Sequence, residues 1–83
     1  MKVTVRFFSS LREQLGVSVY PLETASTTVS QLRTELMNTN SLFSEVLSSG
    51  KAIRMALNHE VCDDTALLSE GCELAFFPPV TGG

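Results

Sequence analysis

Apolar and polar residues alternate from Lys2 to Phe8: Val3, Val5 and Phe7 share one face, and Lys2, Thr4 and Arg6 the other. A period of two predicts a half-buried β-strand, and it leaves Phe8 as an aromatic ring on the polar face. Ser10-Leu11-Arg12-Glu13 has capping-box spacing and Gly16 supplies a stop, so a short helical turn is expected next. Val17 to Leu22 alternates weakly and ends near Pro21, which suits an edge strand. Thr28-Val29-Ser30-Gln31 repeats the capping-box spacing. Val29, Leu32 and Leu36 follow at i, i+3 and i+7 with Met37 beside them, the stripe of an amphipathic helix. Leu42, Phe43, Val46 and Leu47 carry the same spacing in a shorter piece that stops before Gly50.

Ile53 to Leu57 and Glu60 to Cys62 flank Asn58-His59, where asparagine tolerates the positive φ of a tight hairpin turn. A loop with Asp63, Asp64 and Gly71 leads to a last strand, Glu73 to Phe77. Leu74 and Phe76 share one of its faces; Glu73, Ala75 and Phe77 share the other, so Phe77 repeats the anomaly of Phe8. Two strands, a helix and further strands predict an α+β domain, a mixed sheet packed on one main helix. The folded body is placed at 1–77 and an extended tail at 78–83.

Composition narrows the function classes. With 83 residues there is room for one core, and 43% apolar against 18% charged residues is a globular balance. The net charge is -3, and Lys2, Arg6, Arg12, Arg33, Lys51 and Arg54 are scattered, so no stripe for nucleic-acid phosphates is present. The N-terminal run is broken by Thr4 and Arg6 and reads as a strand rather than a signal segment; no run approaches the roughly 20 apolar residues of a membrane span. A cytoplasmic location is expected. Cys62 and Cys72 are spaced for neither a zinc knuckle nor a redox pair and are expected to be reduced, partly buried thiols. His59 lacks a matched nucleophile and reads as a solvated turn residue; Glu60, Asp63 and Asp64 read as a wet acidic rim rather than a metal site. Met37 and Met55 read as core filler.

The chemistry lies at the end. Pro78-Pro79-Val80-Thr81-Gly82-Gly83 follows the last strand directly. Proline lacks an N–H and fixes φ, so Pro78 and Pro79 end ladder pairing and stiffen the exit from the sheet. At about 3.3 Å per extended residue the tail reaches about 20 Å, enough to enter another protein's cleft. Gly82 and Gly83 have no Cβ, can pass a narrow channel, and leave the terminal carbonyl open to nucleophiles. A carboxylate is a poor acyl donor until activated, as by adenylation. The chain has no phosphate-binding loop, so the activating enzyme is expected to be separate. Residue chemistry thus reaches an activated C-terminal carrier, with a plain binding module as the competing reading.

Phe76-Phe77-Pro78-Pro79-Val80-Thr81-Gly82-Gly83, with Val5-Arg6-Phe7-Phe8, Leu11-Arg12-Glu13, Ala56-Leu57-Asn58 and Glu70-Gly71, resembles the small subunits of molybdopterin synthase, sulfur carriers of the ubiquitin-like β-grasp fold. Where the family often has Asp-Gly-Asp-Glu, this chain has Glu70-Gly71-Cys72-Glu73. The resemblance implies that Gly83 is adenylated by a ubiquitin-activating-like enzyme that consumes ATP, then becomes a thiocarboxylate with sulfur from a donor protein. Gly82 would be the spacer, and the tail, Pro78 to Thr81 included, would enter the large synthase subunit, where the sulfur builds the dithiolene of molybdopterin. No bound cofactor or metal is implied, and the large subunit would hold the catalytic residues in a heterotetramer. Adjacent first and last strands in such a sheet would bring Phe8 and Phe77 into one exposed patch for that partner, with Val61 a third member whose facing the short segment does not fix. A sulfur carrier for thiamine biosynthesis and a ubiquitin-like protein modifier share these features and stand as alternatives.

Overall fold

The computed structural model describes residues 1–48 and 52–79; Gly50, expected as a stop, and Val80, Thr81, Gly82 and Gly83 lie outside them. Strand β1 spans Lys2–Phe7 and buries Val3, Val5 and Phe7 as the alternation requires. The strand was expected to include Phe8, which instead occupies the N-cap of helix α1 (Ser9–Leu15) while remaining extended, at φ -119° and ψ 157°. Its N–H still donates to the Phe76 carbonyl at 3.1 Å. The capping box at Ser10 does not form. The chain enters the helix one residue early, through Ser9 at φ 53°, which puts Ser10 inside the first turn, and no side chain caps the end. Gly16 closes the helix at φ 71°, with its N–H on the Arg12 carbonyl at 2.9 Å.

Strand β2 spans Val19–Glu23 and runs through Pro21 rather than ending there. Met1 and Thr24 exchange bonds of 2.8 and 2.9 Å, and the Phe7 N–H donates to Ser18 at 3.0 Å. This parity makes Pro21, opposite Thr4, a position whose N–H would point to the free edge, so proline costs the ladder nothing.

Helix α2 (Val29–Met37) starts at Thr28, whose Oγ1 accepts the Gln31 N–H at 3.2 Å. Gln31 closes the box one residue further out, accepting the Thr27 N–H at 2.8 Å. Val29, Leu32 and Leu36 are fully buried. Helix α3 (Ser41–Leu47) is capped by Asn40, which accepts the Phe43 N–H at 2.8 Å. Arg33 of α2 caps its other end, donating to the carbonyls of Leu47 at 2.7 Å and Ser48 at 3.0 Å. Phe43, Val46 and Leu47 point inward; Leu42, expected on the same stripe, falls at its edge and is exposed.

Strands β3 (Arg54–Leu57) and β4 (Glu60–Cys62) are joined by Asn58 at φ 50° and His59 at φ 72°, the two left-handed residues of a type I′ turn. Strand β5 (Cys72–Phe77) lies between β1 and β3, parallel to the first and antiparallel to the second. The sheet order is β2-β1-β5-β3-β4. The helices pack on one face only, over Phe7, Phe76, Leu74, Val3 and Val5, and Phe7 stacks on both Phe43 and Phe76 at 5.8 Å between ring centres. At about 1.5–3 kcal/mol per buried large side chain, this single layer is what holds the domain together. The result is the mixed-sheet α+β architecture expected from the pattern, with α2 the longest of the described helices.

Candidate functional site

Among the described residues, the opposite face of the sheet carries no helix. Phe7 pairs with Phe76 across the parallel strands, and both turn into the core. The next residue after each, Phe8 and Phe77, therefore turns outward, and their backbones are adjacent at the end of the central strand pair. Phe8 is 40% exposed and Phe77 is half-buried. One residue row away, the register aligns Val19, Arg6, Ala75, Ala56 and Val61 across all five strands on that face. Val61 thus shares the face of Phe77 and is 66% exposed. Its facing follows from its pairing with Ala56, which a three-residue strand does not reveal from sequence. Val19, 45% exposed, closes the far end of the row and was missed; its signal was the weak alternation in which Tyr20 and Leu22 face inward.

Charged groups are set into this apolar face. The Arg6 guanidinium lies 5.7 Å from the centre of the Phe8 ring, a cation–π contact, and its Nη1 is 3.6 Å from Glu73 Oε1. The other oxygen of Glu73 is 3.8 Å from His59 Nε2, and the Glu73 N–H donates to Asn58 Oδ1 at 3.0 Å. His59 is an exposed turn residue whose neighbour is a carboxylate rather than a nucleophile.

Strand β5 ends at Phe77, and the half-buried Pro78 and Pro79 follow at once. Two depressions on the described surface are notable. One, of about 550 Å³, lies where Thr24 and Ser26 donate to the Glu35 carboxylate between β2 and α2; the other, of about 390 Å³, is lined by Lys2, Thr4, Pro21 and Glu23. Neither borders Phe8, Phe77 or the prolines.

The remaining candidates have local roles. Asp63 accepts from the Thr65 N–H at 2.9 Å and from the Thr65 hydroxyl, and these bonds hold its carboxyl below the usual range. Cys62, half-buried opposite Met55, is a free thiol pushed up first by burial and then by the charge of Asp63; Cys72 is buried opposite Val3. Met55 is buried in the core and Met37 packs against it.

The ThiS family model matches residues 5–83. The molybdopterin synthase sulfur carrier subunit of Haemophilus influenzae is 35% identical over 81 residues, which cover 98% of this chain and 99% of that one. Among solved structures, SAMP1 from Haloferax volcanii superimposes with a TM-score of 0.80 at 25% identity, over 100% of both chains. A chain in the complex of subunits 1 and 2 of molybdopterin-converting factor from Helicobacter pylori 26695 gives a TM-score of 0.71 at 27% identity, also over 100% of both. The five-stranded mixed sheet with its one-sided helices is a ubiquitin-like β-grasp domain. The chain belongs to the ThiS family, together with the molybdopterin synthase sulfur carrier subunits that it matches over nearly its full length.

Proposed function

We propose that this chain is the sulfur carrier subunit of a molybdopterin synthase. A separate ubiquitin-activating-like enzyme joins the Gly83 carboxylate to AMP from ATP, releasing pyrophosphate. Sulfide-level sulfur delivered by a donor protein then attacks the acyl carbonyl and displaces AMP, leaving a C-terminal thiocarboxylate. The tail, with Gly82 as a spacer that adds no side chain, threads into the large subunit, whose residues carry out the transfer that builds the dithiolene. On this reading the chain works in the cytoplasm, binds no cofactor of its own and acts as a sulfur-donating subunit in a heterotetramer.

The observation that supports it most directly is the pairing of Phe8 and Phe77 on an uncovered sheet face, at the root from which Pro78 and Pro79 depart. A docking face beside the tail lets one binding event both hold the partner and aim the tail. The family match and the relative complexed as subunits 1 and 2 agree with a large-subunit partner. Incubation with the adenylating enzyme, ATP and a sulfur source is expected to raise the mass of the chain by about 16 Da, sulfur for oxygen at the terminus. An unchanged mass rejects the proposal. The likeness to SAMP1, whose solved relatives include small archaeal modifier proteins, supports a second reading as a protein modifier. Ladders of conjugates on other proteins in cell extracts would mark that case, and only free chain would mark the carrier.

A further inference from the structure

Among the described residues the uncovered face carries three cations, Lys2, Arg6 and Arg54 beside Phe77, and Arg6 is the one at its centre. Arg6 stands in the row between Val19 and Ala75, below Phe8 on the same side of β1. A partner that covers Phe8, Val19 and Ala75 must also cover Arg6. Its Nε is already shielded from solvent and finds no acceptor among the described residues. The nearest anion, Glu73, is 3.6 Å from Nη1, longer than a hydrogen bond, and is shared with His59. The ring of Phe8 holds the guanidinium in place without using any of its N–H groups. Docking a wholly apolar surface here would bury a charge with its donors unmet, which is strongly unfavourable.

We infer that Arg6 selects the partner: the second subunit presents an aspartate or glutamate carboxylate to the Arg6 fork, ringed by apolar side chains that seat on Phe8, Val19 and Ala75. This inference rests on the carrier-subunit reading and adds the chemistry of the surface it must meet. A carboxylate is favoured because its two oxygens match the planar Arg6 fork, and the acidic balance of the chain disfavours a polyphosphate surface.

The test is the affinity of the full-length chain for its own large subunit, by calorimetry at several salt concentrations, for wild type, Arg6→Leu, Arg6→Gln, Arg6→Lys and Glu73→Gln, each checked for folding by its thermal melt. Arg6→Leu and Arg6→Gln are expected to weaken binding by about tenfold to a hundredfold and to flatten its salt dependence. Arg6→Lys should restore only part, because an ammonium lacks the fork. Glu73→Gln should bind at least as tightly as wild type, since it removes a competing anion. Arg6→Leu binding as well as wild type, or Arg6→Leu and Glu73→Gln weakening binding equally, overturns the inference. So does a wild-type dimer, formed without the second subunit and dispersed by Arg6→Leu. A thiocarboxylated wild type that docks but ignores these changes leaves the carrier reading standing; one that neither docks nor takes up sulfur removes both.

Discussion

At the scale of single residues, neighbours often have unrelated duties, and Asp63 shows how local chemistry explains one of them. Its carboxylate is fixed by two bonds from Thr65, which favour the charged form and depress its pKa. The stabilisation is therefore present above the unfolded carboxyl value of about 3.9 and is lost as pH falls through the lower folded value. Thr65→Ala is expected to move the Asp63 titration back up toward that value, read by NMR of the side-chain carboxyl carbon, while the other carboxylates keep theirs. An unmoved Asp63 would mean that the Thr65 hydroxyl is not the cause and that the backbone N–H of residue 65 carries the shift. In the sequence, Asp63 and its two acidic companions looked only like a wet rim, because a two-residue side-chain turn leaves no periodic trace. Phe8 and Phe77 were legible for the opposite reason: period two assigns every residue of a strand to a face, so an aromatic ring out of phase stands out. Val61 was not, since its strand is too short for a period, and only the register with Ala56 and Ala75 places it.

At the scale of elements, the chain contains two segments with the same capping-box spacing and opposite outcomes. Thr28 caps α2 with its side chain, whereas the helix containing Ser10 begins a residue earlier and Ser10 caps nothing. The difference is tertiary. Phe8 is held in the ladder by its bond to Phe76, and this fixes where the chain can turn, overriding the local preference. Thr28→Ala is expected to cost about 1 kcal/mol. Ser10→Ala should stay within about 0.5 kcal/mol of wild type. Urea denaturation of the two variants checks both, and equal losses would show that the hydroxyl of Ser10 acts in a way its position does not explain. Pro21 teaches the same lesson from the other side. Sequence reading placed the end of β2 near it, but a proline interrupts a strand only where its N–H is needed, and the pairing of Met1 with Thr24 makes Pro21 an outward position. Element identity and order were thus readable from periodicity, while boundaries depended on partners distant in sequence.

At the scale of the whole molecule, one sheet divides the labour: its covered face holds the fold together, its bare face is free to dock, and its last strand leads into the tail. Phe7 and Phe8 test this division because they are consecutive and face opposite ways. Phe7 is buried between Phe43 and Phe76, so Phe7→Ala is expected to cost about 3–5 kcal/mol. That is a large share of the stability of a domain this small, at about 0.05–0.15 kcal/mol per residue, and the variant should melt far below wild type by circular dichroism. Phe8→Ser removes a half-exposed ring that supports no other core side chain, so its melting temperature should change little while its affinity for the large subunit falls by tenfold or more, in about the range of interface anchors. Deleting Gly82 and Gly83 should leave both fold and docking in place and abolish the gain of sulfur. If Phe8→Ser docks normally, the bare face is not the docking face; if the truncated chain still takes up sulfur, the reactive end lies elsewhere. Separate loss of fold, docking and sulfur by the three changes is what a carrier requires, since its reactive end must be delivered by a surface that does not itself need the tail to fold.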